Sequence, residues 1–164
     1  MSASVATFTN LYDRMVNGRP ILALFLPGHL AIELLLRKVI LQRDPALASF
    51  VRKATHAILI AKAEELGAID QAQASVLTMI NRTRNKFAHE IAFEPTIEEL
   101  KVIWNAAAAA FSDFTDGISQ GIGSLEESNS IWDLEEWAFP ELFVQICYDL
   151  HHTYIDGGGH YEDL

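Results

Sequence analysis

Residues 82–89, Arg82-Thr83-Arg84-Asn85-Lys86-Phe87-Ala88-His89, gather two kinds of reactive side chain in one short stretch. Guanidinium groups grip anions through paired N–H donors, and an imidazole exchanges a proton near neutral pH. In a helix, with about 100° between residues, Ile80, Arg84, Phe87 and Ala88 form one stripe that continues Val76 and Leu77. Arg84 then sits on an apolar face and needs an acceptor: a carboxylate such as Glu33, backbone carbonyls, or an anionic ligand. Arg82, Asn85, Lys86 and His89 line the adjacent face as a polar, cationic strip that ends in histidine. A purely structural reading pairs Arg84 with Glu33 or Glu90 and sets His89 against the negative end of the helix dipole.

Other clusters are weaker. His29, Glu33 and Arg37 share a helical stripe, which predicts an intrahelical Glu33–Arg37 pair, or in a functional version a Glu33 carboxylate that orients Arg84. Cys147/His151 and His152/Asp156 are spaced to clip a metal ion, with His160 beyond them, but the two pairs point different ways, and no metal or cofactor is expected. Trp132 and Trp137, set among acids, are expected to pack in the core of a small C-terminal module, with a partner-binding strip as the alternative. Phosphate-binding glycine loops and the HExxH zinc signature are absent.

The elements that must position the motif read as helices throughout. At 164 residues and 50% hydrophobic, the chain is long and apolar enough for one folded domain. A first helix is expected over residues 5–16. A second starts at Pro27, with Leu30, Leu34, Leu35 and Ile40 facing the core. Asp44-Pro45 opens a third, long helix that ends at Leu66-Gly67. Asp70 caps a fourth, running to about Glu90, and a Thr96/Glu99 capping box starts a fifth that reaches about Phe114. Residues 117–130, with three glycines and four serines, read as a linker or long loop. An apolar helix over residues 140–154 and a flexible tail from Gly157 complete the chain. The expected fold is all-α: a compact bundle of about five helices with a small acidic helical extension.

The net charge of −10 argues at first against a nucleic-acid partner, but the charge is unevenly spread. Residues 1–89 hold 11 of the 12 Lys/Arg and 6 of the 22 acids, a net +5, whereas residues 90–164 hold Lys101 and 16 acids, a net −15. Either the acidic part attracts or covers the cationic strip, or it is a solvated face. A single cysteine, Cys147, excludes an internal disulfide. The first twenty residues lack the apolar core of a signal peptide, and the apolar stretch 21–36 is shorter than the roughly 20 residues that span a bilayer. A cytoplasmic protein with no membrane partner is the expectation.

The string Arg84-Asn85-Lys86-Phe87-Ala88-His89, late in a long helix of an all-helical chain, resembles the R-x4-6-H motif of the HEPN superfamily, in which a polar residue follows the arginine. The resemblance covers residues 20–115 in helix order and makes residues 1–116 a HEPN-like helical domain. Residues 117–164 form an acidic linker, helix and tail packed on it. Many members are ribonucleases, often toxins or parts of defence systems, and the resemblance implies a metal-independent endoribonuclease acting on RNA as a homodimer. Arg84 would stabilise the charge of the transition state, His89 would transfer a proton, and Asn85 would orient the histidine or a phosphate oxygen. Arg82 and Lys86 would hold flanking phosphates. The products would be a 2′,3′-cyclic phosphate and a 5′-hydroxyl. Residues 61–70 with the motif helix are also similar to the mannitol-operon repressor group, which implies the alternative of a non-catalytic helical regulator or interaction module. In either case the acidic segment could serve as a regulatory cap or as a docking surface for an antidote protein.

Overall fold

The computed structural model describes residues 20–90 and 93–162, and the helix expected over residues 5–16 lies outside them. The described residues form seven α-helices and one 3-10 turn, with no strand among them. The helices are α1 (Pro20–Arg43), α2 (Ala48–Lys53), α3 (His56–Glu65), α4 (Gln71–His89), α5 (Ile97–Ala110), α6 (Gly117–Glu127) and α7 (Ala138–Asp156). The all-helical class matches the sequence reading, but the helix count and several boundaries differ. None of these helices is long and apolar enough to cross a membrane.

α1 begins seven residues before Pro27 and runs through it. Proline has no N–H to give the carbonyl of Ala23, a loss that ends most helices. Here burial on both sides of the proline holds the helix together: Phe25, Ile32, Leu36, Val39 and Ile40 are all inaccessible to solvent. The core stripe is therefore not the expected one. Leu35 and Ile40 face inward as expected, but Leu30 and Leu34 are 53% and 46% exposed. So many leucines surround this helix that sequence alone does not show which ones the neighbouring helices cover.

The single long helix expected after Asp44 is broken into three pieces. The Asp44 carboxylate accepts the Ala46 amide at 3.0 Å and caps a 3-10 turn at Pro45–Leu47, after which α2 runs to Lys53. Ala54 and Thr55 are extended. The break is stabilised from α1, where the Arg37 guanidinium donates to the Val51 carbonyl and, at 3.0 Å, to that of Ala54. Unsatisfied carbonyls at a helix end need such donors, and these come from a residue 14–17 positions away in sequence.

The remaining caps follow their sequence signals. Gly67 takes a left-handed φ of +64° after α3, with Ala68 N–H bonded to the Ala63 carbonyl and Gly67 N–H to that of Glu64, both at 2.9 Å. This double closure favours glycine. Asp70 with Gln73, and Thr96 with Glu99, form reciprocal capping boxes at the starts of α4 and α5. α5 stops at Ala110, a turn short of Phe114.

The stretch read as a linker is largely α6. The Asp113 carboxylate accepts the amides of Ile118 and Ser119 at 2.9 and 2.8 Å and so caps the new helix. Ile118 and Leu125 are fully buried. Gly121 allows close packing, because a Cβ there would overlap the Trp104 indole. Trp132 and Trp137 are not the core of the following segment, being 56% and 39% exposed, and Ile131 and Leu134 are buried in their place. After α7 the described residues of the expected tail turn back, with Gly159 N–H bonded to the Tyr154 carbonyl and the Tyr161 ring 5.4 Å from that of His151.

One buried cluster joins residues from Ile21 to Leu150, so α6 and α7 share the core of the other helices. Its centre is aromatic. Phe25 of α1 lies 5.6 Å from Phe87 of α4, and 6.4 and 5.0 Å from Phe139 and Phe143 of α7. Trp104 of α5 meets Phe139 at 5.4 Å. α1 and α7 approach so closely that a Cβ on Gly28 would overlap the Phe143 ring. Gly28→Ala is therefore expected to destabilise the protein by about 1–3 kcal/mol, the usual range for overpacking. Added to a Phe143→Ala background, the same change should cost much less, as urea denaturation of the two single variants and the double variant would show.

Candidate functional site

The capping box that fixes the start of α4 also sets the phase of its last turns. Ile80 and Asn81 are buried, Arg84 and Phe87 are half-buried, and Arg82, Asn85, Lys86, Ala88 and His89 are exposed. The apolar stripe drawn from the sequence thus holds for Ile80 and Phe87 but not for Ala88, because the helix runs past the edge of the core there. Phe87 is clamped between Phe25 and Phe93, whose ring is 5.0 Å away.

The expected site residues separate into groups. The Arg84 guanidinium donates to Asn85 Oδ1 at 3.1 Å, so these two act together. Lys86 lies 3.5 Å from Glu99 and 5.0 Å above the Phe93 ring, and is already engaged by α5. The Thr96 amide, followed by Lys86, holds the Glu99 carboxyl below its ordinary range. Arg82 and His89 are exposed, and His89 ends the helix at the rim.

The Glu33–Arg37 pair expected from the i,i+4 spacing is present, and the carboxylate's other oxygen faces His56 rather than Arg84. Glu33 Oε1 accepts from Arg37 at 2.7 Å, and Glu33 Oε2 stands 3.5 Å from His56 Nδ1. An i,i+4 partner on the same helix competes well for a carboxylate. His56, the first residue of α3, arrives beside it because Arg37 holds the break before that helix.

His56 is the residue that sequence reasoning missed. It stacks on His29 with ring centroids 4.0 Å apart, and the two residues are only 6% and 3% exposed. His29 Nε2 is 3.3 Å from Asn81 Oδ1, tying the pair to the motif helix. Burial, first of all, pushes the His56 pKa down to about 4, reinforced by the neighbouring His29 and opposed by Glu33. His29 is also lowered, by burial against the Asn81 hydrogen bond, and the Arg84 charge acts on both rings. For Glu33, burial works against ionisation, but the Arg37 hydrogen bond and charge outweigh it and leave the carboxyl below its ordinary range. One ligand atom from each of His29, Glu33 and His56 lies within 4.8 Å of the others. The i,i+4 spacing of His29 and Glu33 was visible in the sequence, but nothing pointed to a third member 23 residues further on.

The C-terminal candidates do not converge in this way. Burial raises the Cys147 thiol to about 12, His152 packs on the Phe114 ring at 4.8 Å, and His151 stacks on Tyr154. A shallow cleft of about 430 Å³ is lined by residues including Gln73, Asp149, His152 and Asp156. Gln73 is in the first turn of α4, roughly 16 Å along the helix axis from Arg84 at 1.5 Å per residue, so this cleft is not the motif's. Comparison with protein-family models, with characterised proteins and with solved structures gives no match for this chain.

The buried pair has a pH consequence. Between pH 6.5 and about 4 an unfolded His56 binds a proton that the folded one refuses, so stability falls as the pH is lowered through that window. The depressed Glu33 carboxyl acts in the same direction at the acid end. In the presence of a chelator, the unfolding free energy should drop from pH 7 to pH 5 with a slope approaching roughly 1 kcal/mol per pH unit for one such histidine. His56→Gln should flatten that slope in urea titrations, and a slope unchanged by the substitution would remove His56 as its source.

Proposed function

We propose that the chain is a metal-independent endoribonuclease of HEPN type that works as a homodimer. The observation that carries this reading is the state of Arg84. Its guanidinium is half-buried, steadied by Asn85, and pairs with no carboxylate among the described residues, so its charge is available to an anion. His89 stands exposed on the next turn at the end of the same helix.

RNA brings its own nucleophile. The 2′-hydroxyl is tethered beside the scissile phosphate, so the protein has only to align the groups, move protons and stabilise charge. The 2′-oxygen attacks phosphorus, the bond to the 5′-oxygen breaks, and a 2′,3′-cyclic phosphate and a 5′-hydroxyl result. Arg84 offers two N–H donors to the phosphate oxygens as their charge grows. His89 takes the proton from the 2′-hydroxyl, and a second imidazole returns one to the leaving oxygen. Five helical residues place Arg84 and His89 about 140° apart, so one chain does not aim both at one phosphate. Two motif helices facing each other across a two-fold axis supply both pairs to one cleft. Arg82 is the exposed cation for a flanking phosphate, and Lys86 can join it only by leaving Glu99.

Purified wild-type protein is expected to cleave single-stranded RNA to cyclic-phosphate ends and to leave a strand with a 2′-deoxy residue at the scissile position intact. Arg84→Ala and His89→Ala should each lower the rate by about 10²–10⁴, the usual contribution of a positioned acid–base or charge-stabilising group. A mixture of the two variants should recover part of the activity through composite dimers. Cleavage that survives both substitutions overturns the reading. Saturable RNA binding without turnover would replace it with a non-catalytic helical module of mannitol-repressor type.

A further inference from the structure

We infer that His29, Glu33 and His56 form a binding site for one divalent ion of the zinc class. The inference goes beyond the ribonuclease reading, since none of the three residues is assigned a role in cleavage.

The packing is hard to explain without a ligand. Two imidazoles occupy positions in the core that leucines would fill without leaving polar atoms exposed to apolar surroundings. His29 Nδ1 and His56 Nε2 are buried and have no hydrogen-bond partner, and His56 Nδ1 has only the Glu33 carboxylate, 3.5 Å away. Buried polar atoms are nearly always paired, so two orphaned nitrogens on stacked rings point to a missing partner. A neutral imidazole offers one lone-pair nitrogen to a metal, so one ion would take one nitrogen from each ring.

The geometry supplies the rest. Glu33 and His29 sit one turn apart on α1, and His56 opens α3 across from them. Their ligand atoms lie within 4.8 Å of one another, so small side-chain movements bring them to the 2.0–2.2 Å or so that zinc requires. Supporting contacts of the type found around metal ligands are already present. Asn81 Oδ1 faces His29 Nε2, which fixes the N–H there and leaves Nδ1 with its lone pair. Arg37 holds Glu33 by Oε1 and leaves Oε2 turned towards His56. Burial keeps both rings in the neutral form that binds metal near pH 7. Two nitrogens and one carboxylate oxygen suit zinc and similar ions better than magnesium or calcium, which prefer oxygen alone. Three protein ligands leave one tetrahedral position for solvent. The charges of Arg37 and Arg84 oppose the ion, and the single negative charge of Glu33 offsets them only in part.

The full chain, stripped with a chelator and exchanged into chelator-free buffer, should retain one equivalent of zinc through gel filtration after exposure to zinc chloride. Zinc should raise its Tm, and magnesium chloride should not. Glu33→Gln, which keeps the side chain's shape, and His56→Gln should each weaken zinc binding at least tenfold with helix content unchanged by circular dichroism. Should His56→Gln not fold, the Glu33→Gln result decides. A His152→Ala/His160→Ala variant should bind zinc as the wild type does. Wild-type protein that retains no zinc, undiminished binding in folded Glu33→Gln, or loss of binding in the tail variant would each overturn the site. None of these measurements involves RNA, so the outcome stands apart from that of the cleavage assay.

Discussion

Phe25 makes three ring contacts, with Phe87, Phe139 and Phe143, and through them α1 is locked to α4 on one side and to α7 on the other. Aromatic pairs at these separations gain from both area and ring geometry, and they are intolerant of small shifts. Everything that could do chemistry hangs from this arrangement. α1 carries His29, Glu33 and Arg37 on the turns that follow Phe25, and α4 carries Asn81, Arg84 and Asn85 on the turns around Phe87. The aromatic contact sets the distance between the two helices that carry His29 and Asn81, two of the four buried polar residues among those described.

Those polar groups form a connected set. Arg37 ties Glu33 to the carbonyls at the end of α2, Glu33 faces His56, His56 stacks on His29, and His29 meets Asn81. Arg84 and Asn85 lie three and four residues beyond Asn81, which is the spacing of neighbours on a helix surface. The Arg84 charge acts on both imidazoles. The motif at the rim and the histidine pair inside are therefore two ends of one electrostatic neighbourhood, and a charge added at one end alters the other.

The glycine- and serine-rich stretch after Asp116 is helix where its composition suggests a loop. Gly121 lets α6 lie against the Trp104 indole, and Asp113 supplies the capping bonds that Asp116, at the N-cap position, does not make. The negative charge remains on the surface, while Phe139, Leu142, Phe143 and Ile146 fill the core. The opposite charges of the two halves meet directly at Lys86 and Glu99.

Caps and stops were legible because they are local. Asp70, Thr96 and Gly67 act within four residues of themselves, and a side chain three positions from an amide is held there by the covalent chain. The all-helical class and the exposed cationic end of α4 followed from the same short-range rules. What the tertiary structure alone decided was which leucines of α1 are covered, that Pro27 is carried inside a helix, that α2 and α3 separate, and that His56 comes to rest on His29. Each depends on a partner supplied from far along the chain: Arg37 reaching carbonyls 14 and 17 residues away, or a ring stacking across 27. Periodicity reports the faces of a helix, but only packing chooses among faces that are equally apolar, and only packing brings together side chains that no turn of the backbone connects.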